Sequence, residues 1–520
     1  MAQQKSEDRV VPEGGVMPVE RTGSSLGGQG KAVPVEETAV QLRLPIATAE
    51  NPKGATRRRT WDRLGEIRAG APKAIGMTGT AASATMEEVA YRLTDALLKV
   101  ASNRGAPGPD GQTIEALADQ WPVVLPRLQA DLLAGTYRPG GIRRVFIPKP
   151  GGGQRGLGIP DVIDRVVGEA VRQVLEPLFE PTFHPSSHGF RSGRSCHTAI
   201  AEAKTHVENG HEWCVDLDLE KFFDLVCHQR LTAKLAQRVS DRRLLGLIGG
   251  MLKAKVVLPD GVLIASEQGV PQGGPLSPLL SNVVLDELDS ELDRRGHRFV
   301  RYADDCNVYV RSERAGQRVM ASLAGFIEGR LRLTINQEKS AVARPEDRHF
   351  LGFRLRRDPR TGTVEVLLSQ RTMRNAMDRI RQLTPRNWGD SVDRCIASIN
   401  AWLRRWHGFF GVASVSEIQM MRKIDGHIRR RLRAIILRHW KRRRTIARKL
   451  IALGVRRESA WRQIYQGRKS WWALSHTHAV DNGLRWAFFA QRGLISVVDM
   501  HRAKRQPRRR PRIAKAGAMG

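Results

Sequence analysis

The sequence predicts an α+β protein in which an antiparallel sheet is followed by a helical region. Apolar and polar residues alternate from Arg298 to Arg301 and from Asn307 to Val310, which places Tyr302-Ala303-Asp304-Asp305 at the tip of a β-hairpin. A further alternating segment, Val215 to Leu219, predicts another strand. From Glu365 to Phe410 the apolar residues recur at helical spacing instead.

The predicted strands carry acidic residues that suit a divalent metal. Alternation places Asp216, Asp218 and Glu220 on one face of the upstream strand. Adjacent acids such as Asp304 and Asp305 repel each other unless a cation offsets their charge, and Mg²⁺ prefers oxygen ligands. One strand acid and the two hairpin acids would form a three-carboxylate, two-metal site for nucleotidyl transfer. The alternative is that the hairpin acids are ordinary turn residues, which are common in such loops.

Length and charge indicate the class of partner. The 520 residues can form two or three domains, and the net charge of +33 predicts a polyanion, because neutralised phosphates release counterions. A membrane surface is the alternative, but no apolar run approaches the ~20 residues needed to span one. With no secretory leader, we expect a cytoplasmic protein bound to nucleic acid. The five cysteines lack C-x₂-C spacing, which predicts reduced thiols rather than a zinc site.

Seven short motifs follow one another in a characteristic order. They are Ile147–Arg155, Gly189–Ser195, the strand containing Asp218, Gln268–Pro278, Tyr302–Asp305, Leu333–Ser340 and His349–Phe353. This series resembles the ordered motifs of a reverse transcriptase, specifically the protein encoded within bacterial group II introns. The resemblance extends from Glu87 to Met500.

The resemblance implies a right-hand polymerase with fingers, a palm built on an antiparallel sheet, and a helical thumb, followed by a helical, basic maturase domain. We expect a poorly ordered extension over residues 1–80, fingers and palm over 81–365, thumb and maturase domain over 366–490, and a basic tail over 491–520. Many members of this family carry a C-terminal H-N-H endonuclease with paired cysteines, and we expect that domain to be absent.

The resemblance also implies roles for individual residues. Asp218 heads an Asp-x-x-x-Phe-Phe pattern and joins Asp304 and Asp305 as a catalytic carboxylate, while Asp216 is its competitor. Together with the backbone carbonyl of Leu219, these carboxylates would bind two Mg²⁺ ions, with Mn²⁺ as a substitute. The implied nucleotide-binding residues are Lys149, Arg155, Phe222, Gln272, Gly273 and Lys339.

Each nucleotide-binding residue has an expected task. Lys149 and Arg155 bracket a glycine-rich fingertip and would offset the charge that develops on the leaving pyrophosphate. Lys339 is similar to a lysine that protonates this leaving group. Phe222 would exclude a ribose 2′-hydroxyl, and Phe223 is the alternative gate.

Three positions depart from the family pattern. The family commonly has proline where this chain has Gly156, a difference expected to loosen the fingertip loop. It usually has Ser-Tyr where this chain has Ser187-His188, and often proline in place of Ser192.

A basic run from Arg422 to Arg444 resembles the part of the maturase domain that grips structured RNA. Only Asp425 interrupts the run as an acid, so repulsion would weaken this helix unless phosphates lie against it. The alternative is a solvated helix face. The implied RNA-binding residues are Arg429, Arg430, Arg431, Arg433, Arg438, Lys441, Arg442, Arg443 and Arg444. The apolar stripe of Trp402, Leu403, Trp406 and Phe409 is interpreted as a packed core face.

We therefore expect an RNA-directed DNA polymerase that also binds its intron RNA to assist splicing and mobility by target-primed reverse transcription. The expected partners are intron RNA, an RNA template with a DNA primer, a DNA target and deoxynucleoside triphosphates. Two alternatives are a host-adopted reverse transcriptase used in defence or repair, and a splicing cofactor that no longer polymerises. The intact acids and fingertip cations argue against the second alternative.

Overall fold

The computed structural model describes residues 65–67, 84–148, 153–385, 387–466 and 470–505. The strands are β1 (Ile142–Pro148), β2 (Gln154–Pro160), β3 (Trp213–Leu217), β4 (Val256–Val257), β5 (Leu263–Ile264), β6 (Arg298–Tyr302), β7 (Asp305–Val310), β8 (Ala341–Ala343), β9 (Phe353–Arg357) and β10 (Val364–Leu368). The helices up to the last strand are α1 (Met86–Ser102), α2 (Ile114–Leu133), α3 (Val162–Phe179), α4 (Cys196–Glu208), α5 (Phe222–Leu225), α6 (His228–Ala236), α7 (Arg242–Leu252), α8 (Ser277–Arg294) and α9 (Glu313–Phe326).

The remaining helices are α10 (Gln370–Leu383), α11 (Val392–Phe410), α12 (Ile418–Trp440), α13 (Arg443–Ala452), α14 (Arg457–Tyr465), α15 (Trp471–Leu474), α16 (His478–Gly483), α17 (Trp486–Ala490) and α18 (Val497–Arg505). Short 3₁₀ segments lie at Glu180–Thr182 and Val415–Glu417, and a π-helical turn at Ile327–Leu331 follows α9.

A four-stranded antiparallel sheet in the order β6-β7-β3-β8 forms the palm. It separates two hydrophobic cores, because successive side chains of a strand point to opposite faces. Val215 and Val308 contribute to one core, which also contains apolar side chains of α8. Cys214 and Tyr309 contribute to the other core, which also contains residues of α4, α11 and α12. The sheet is therefore buried on both faces over most of its area.

The fingers contain a second sheet in the order β2-β1-β4-β5. Strands β1 and β2 form a hairpin whose last described pair is Pro148 with Gln154. Helices α1, α2 and α3 pack against one another through fully buried residues such as Leu93, Leu117 and Val167. The tip of this hairpin, including Lys149, lies outside the described residues.

The C-terminal part is helical beyond the β9–β10 hairpin. The predicted helical spacing from Glu365 to Phe410 begins too early, because residues up to Leu368 pair with β9 as strand β10 and the first helix starts at Gln370. The predicted stripe is a core face, since Leu403 is fully buried, Trp406 is buried, and Trp402 and Phe409 pack against them. No helix in the described part of the chain is long and apolar enough to cross a membrane. The expected disorder of residues 1–80 concerns a segment of which only residues 65–67 are described.

Candidate active site

The predicted acidic hairpin is present, and its turn is two residues long. Tyr302 pairs with Asp305, so that Ala303 and Asp304 form the turn between β6 and β7. Ala303 has a φ of 58°, in the left-handed region that alanine rarely adopts. Asp305 begins β7 and its side chain is exposed. The turn thus presents two neighbouring carboxylates at one end of the palm sheet.

Asp218 directly follows β3, at the end of the sheet where the acidic turn lies. Its backbone N–H donates to Ser340 Oγ (3.0 Å), and its carbonyl accepts from the Asn336 N–H (2.8 Å). The next residue, Leu219, forms an isolated bridge with Ile335. The predicted motif Leu333–Ser340 therefore holds the segment that carries Asp218 in place. The Leu219 carbonyl as a metal ligand stays a prediction.

The acids at this end of the sheet perturb one another. Although Asp305 keeps solvent-accessible surface, the protein atoms around it remove part of its hydration, and this loss together with the charges of neighbouring carboxylates raises its pKa to about 7. Those neighbours are Asp304, Asp216 and Asp218, in decreasing order of effect. Burial raises the pKa of Asp304, and the positive charge of Arg155 acts in the opposite direction. The fingertip arginine is thus within electrostatic reach of the acidic turn.

Asp216, the competitor for the metal site, already has a partner. Arg348 donates to its carboxylate from Nε (2.8 Å) and Nη2 (2.6 Å). The same Nη2 also donates to the carbonyl of Lys339 (2.6 Å), whose ammonium lies 3.6 Å from Asp218 Oδ1. This arrangement favours Asp218 over Asp216 as the available strand acid, while the role of Lys339 stays a prediction.

The donor set fits a hard divalent cation, because it consists of carboxylate oxygens whose mutual repulsion a cation would relieve. Among the described residues, no three His, Cys, Asp or Glu side chains are placed to hold one metal ion between them. Two Mg²⁺ ions held by Asp218, Asp304 and Asp305 therefore remain a proposal.

Gln272 and Gly273 connect the palm to the fingers hairpin. The Gln272 carbonyl accepts from the Gly158 N–H (2.7 Å), and its side-chain Oε1 accepts from Arg155 Nε (2.8 Å). Gly273 has a φ of 127°, and a Cβ atom there would overlap the carbonyl oxygen of Gly158. Only glycine fits this close approach without strain. Two predicted nucleotide-binding residues, Arg155 and Gln272, thus contact each other directly.

Gly156, where the family commonly has proline, lies against a specific side chain. The Arg144 guanidinium lies across Gly156, where any Cβ atom would overlap it. Arg144 also reaches Asp224, with 3.8 Å between Nη2 and Oδ1. A side chain at position 156 would require the flexible Arg144 guanidinium to move.

The two candidate sugar gates are both buried. Phe222 is 2% exposed and Phe223 is 8% exposed, and their rings pack edge to face with centroids 5.2 Å apart. The assignment of Phe222 as the sugar gate stays a prediction. Phe223 is the more exposed of the two rings, which strengthens Phe223 as the alternative gate.

Sequence reasoning missed a buried polar network beneath the acidic turn. Arg301 and Asp289 form an ion pair whose side chains are both 0% exposed. Asn282 and Ser187 accept further hydrogen bonds from Arg301. The sequence did contain a signal for this network, since Arg301 is a charged residue in a strand that is otherwise apolar on that face.

His188, which replaces the usual tyrosine, is also buried in a polar network. Its Nε2 lies 2.7 Å from Glu202 Oε2, and its Nδ1 lies 2.9 Å from Thr198 Oγ1. The Glu202 carboxylate also accepts from Ser186 Oγ (2.5 Å). The substitution has therefore been accommodated by a matched acid on α4.

The predicted RNA-binding residues do not form one uniform surface. Arg433 is buried, donates to the Leu484 carbonyl (2.9 Å) and pairs with Asp481, so its inclusion among the RNA-binding residues is corrected: its charge is used inside the fold. Arg431 donates to Thr384 Oγ1 (2.9 Å), and the Arg430 guanidinium lies 3.9 Å from the centre of the Trp472 ring.

Other members of the basic run face solvent. Exposed residues are Arg438, Lys441, Arg442 and Arg444, whereas Arg429 and Arg443 are half-buried. Asp425, the acid within the run, accepts from Ser496 Oγ (2.7 Å) and the Val497 N–H (3.0 Å) and thereby caps α18. Helix α12 is therefore held by contacts within the protein, and not only by an external anion.

The antiparallel palm sheet carries acids at one end, and the fingers hairpin that opposes them is cationic. This arrangement defines a template-directed nucleotidyltransferase of the right-hand class. Residues 147–355 match the family described as "Reverse transcriptase (RNA-dependent DNA polymerase)", and residues 373–451 match "Group II intron, maturase-specific domain". The chain belongs to the reverse transcriptase family, in the branch that carries a group II intron maturase domain.

Three relatives illustrate the range of similarity. Protein YkfC of Escherichia coli (strain K12) is 34% identical over 317 residues, which cover 53% of this chain and 83% of YkfC. The group II intron-encoded protein LtrA of Lactococcus lactis subsp. cremoris is 29% identical, over 48% of this chain and 53% of LtrA. The putative COX1/OXI3 intron 1 protein of Saccharomyces cerevisiae (strain ATCC 204508 / S288c) is 28% identical, over 54% of this chain and 41% of that protein. The match thus spans about half of each intron-encoded relative.

Proposed function

We propose that this protein copies RNA into DNA at the end of the palm sheet where Asp218, Asp304 and Asp305 lie, and that it binds its intron RNA to assist splicing. The observation that carries the polymerase proposal is the arrangement of charge. Clustered carboxylates, marked by the raised pKa of Asp305, are flanked by Arg155 from the fingers and by Lys339 on the other side. Such a site suits a substrate that combines a nucleophilic hydroxyl with a triphosphate.

Two Mg²⁺ ions, when bound, would favour the deprotonated primer 3′-hydroxyl and neutralise the triphosphate. The protein residues perform the positioning. Asp218, Asp304 and Asp305 supply the carboxylate oxygens, and Arg155 offsets negative charge on the leaving pyrophosphate. Lys339 is proposed to deliver a proton to that group, and the position of its ammonium beside Asp218 supports this role. Lys149 is proposed to assist Arg155 from the segment outside the described residues.

The close approach at Gly273 supports a role in the nucleotide pocket. The backbone there lies against β2, so the Gln272 side chain is held beside Arg155. An incoming triphosphate would compete with Gln272 for the Arg155 guanidinium, since a phosphate is the stronger acceptor. Phe222 or Phe223 would then select deoxynucleotides by contact with the sugar.

The splicing role is proposed from the maturase domain and from the exposed cations that follow α12. Lys441, Arg442 and Arg444 face solvent in a protein of net charge +33, which suits an RNA backbone. We further propose that the protein primes DNA synthesis at a DNA target, and that it acts in the bacterial cytoplasm as a ribonucleoprotein near the nucleoid.

Replacing one catalytic carboxylate tests the polymerase proposal. Asp304→Asn should abolish cDNA synthesis in Mg²⁺ and leave RNA affinity nearly unchanged, because a metal ligand is lost and no phosphate contact is touched. The matched control is Asp358→Asn, which alters an acid of another hairpin turn, between β9 and β10. Primer extension and RNA binding are measured side by side. Extension by Asp304→Asn at the rate of the control would refute the site.

A further inference from the structure

The carbonyl oxygen of Ala303, in the middle of the acidic turn, is bound by a buried side chain. Arg301 Nη1 donates to it at 2.9 Å. Arg301 pairs with Cys306 across β6 and β7, so its side chain lies on the face of the sheet opposite to Asp305. The turn is therefore held from beneath, while its carboxylates remain available above.

The Arg301 guanidinium is completely satisfied. It donates to both carboxylate oxygens of Asp289, from Nε (2.7 Å) and Nη2 (2.5 Å). It also donates to Asn282 Oδ1 (3.1 Å) and to Ser187 Oγ (2.7 Å). With the Ala303 carbonyl, these acceptors use all five N–H donors that a guanidinium possesses. Its orientation is consequently specified by several independent contacts.

A second contact fixes the other side of the same turn. The backbone of Gly189 lies so close to Ala303 that a Cβ atom at position 189 would overlap the Ala303 amide nitrogen. Asn282 Nδ2 donates to the Gly189 carbonyl (2.9 Å) while its Oδ1 accepts from Arg301. Asn282 and Asp289 both belong to α8, so one helix positions both contacts with the turn.

We propose that Arg301 is a positioning residue for polymerisation, which transmits the rigid position of α8 to the carboxylates of Asp304 and Asp305 through the Ala303 carbonyl. The inference rests on the proposed function, because it assumes that these carboxylates bind the metal ions. Arg301 and Asp289 are both fully buried, so neither side chain is accessible to substrate.

The physical reason is the conformation of the turn. Alanine with a φ of 58° is strained, and such a conformation persists only where surrounding contacts impose it. Without the donor at its carbonyl, the turn would relax and the carboxylates would shift. A displacement of about 1 Å at a reacting centre can reduce a rate about a hundredfold.

The test separates positioning from stability. Arg301→Met/Asp289→Leu replaces the buried ion pair with apolar side chains, a change that often preserves folding. The matched control is Arg172→Met/Glu169→Leu, which removes another bidentate pair, within α3, where Glu169 is 5% exposed. For each full-length protein we measure kcat and KM for the incoming nucleotide, and the melting temperature. Electron paramagnetic resonance measures Mn²⁺ binding to the protein in the presence of annealed template and primer.

We expect the Arg301 double variant to lose at least about tenfold in kcat, with KM changed less than about threefold, and to bind Mn²⁺ more weakly than the control. Arg301→Lys provides a second route should the double variant not fold. Lysine keeps the positive charge beside Asp289 but lacks the planar fork, so it should also reduce kcat and Mn²⁺ binding.

Wild-type kcat and Mn²⁺ affinity in a folded Arg301 variant would overturn the inference, as would equal losses in the control. Asp304→Asn, assayed in parallel, keeps this failure distinct from failure of the proposed function. If Asp304→Asn also retains extension and Mn²⁺ binding, the assignment of the active site is wrong rather than the role of Arg301.

Discussion

The acidic turn and helix α12 both concentrate charge, but the fold uses that charge differently. At the turn, Asp304 and Asp305 remain close together, and the pKa of Asp305 is raised to about 7 by lost hydration and neighbouring acids. In α12, Arg433 and Arg431 are engaged by acceptors of the protein itself. A cluster of like charges that repel one another without internal partners indicates a site for an external ion. A cluster whose charges are paired within the protein indicates a structural role.

The largest expected effect concerns the exposed end of the basic region. Replacing Lys441, Arg442 and Arg444 together by Ala should weaken RNA binding. It should also lower the salt slope, the slope of log affinity against log salt concentration, by about two units, since each lost phosphate contact contributes about 0.7 to 0.9. Affinity is measured by titration at several salt concentrations. Extension of a preannealed primer should change much less. A slope equal to that of the wild type would mean that these residues form only a solvated surface.

Arg433 provides the internal contrast to those three residues. Arg433→Ala should leave the salt slope unchanged and lower the free energy of unfolding by about 1–3 kcal/mol, because the buried Leu484 carbonyl loses its donor. Thermal melting and the same salt titration give the two readouts. A reduced salt slope with an unchanged melting temperature would instead show that Arg433 contacts RNA.

A smaller effect, on primer extension, is expected from a substitution where the palm meets the fingers. Gly273→Ala should reduce primer extension about tenfold, because the new Cβ atom would overlap the Gly158 carbonyl and displace Gln272 from Arg155. Gly274→Ala is the control, since its Cβ would meet only Ser277 Oγ at 3.4 Å. Single-turnover extension on one template compares the two. Equal rates would show that the approach of Gly273 to β2 is not needed for nucleotide binding.

The smallest effect is a pH dependence of stability in the C-terminal region. Burial lowers the pKa of His407 to about 4, with help from the charges of His501 and Lys504. Unfolded histidine titrates near 6.5, so the unfolded state binds more protons between about pH 6.5 and 4, and stability falls as pH decreases through that window. His407→Asn should flatten the decline in melting temperature there, whereas His476→Asn, at an exposed position, should not. A decline unchanged by His407→Asn would contradict this account.

Much of the site followed from local patterns. The alternation around Tyr302–Asp305 predicted the hairpin and its acidic tip, and the glycine-rich segment between Lys149 and Arg155 predicted a hairpin in the fingers. Composition was less reliable. The basic run was read as one RNA-binding surface, yet Arg433 is buried, because its partners Asp481 and Leu484 lie on a later part of the chain.

The sequence by itself determined the hairpin strands, the turn and the acids, because alternation and turn chemistry act between near neighbours. The tertiary structure alone decided how the turn is held. Ser187 and Arg301 are 114 positions apart, and Asn282 and Gly189 are 93 apart, yet they form one network beneath Ala303. Such contacts depend on how the sheet packs against α8, so no local pattern predicts which buried arginine binds the acidic turn and which one only stabilises a helix.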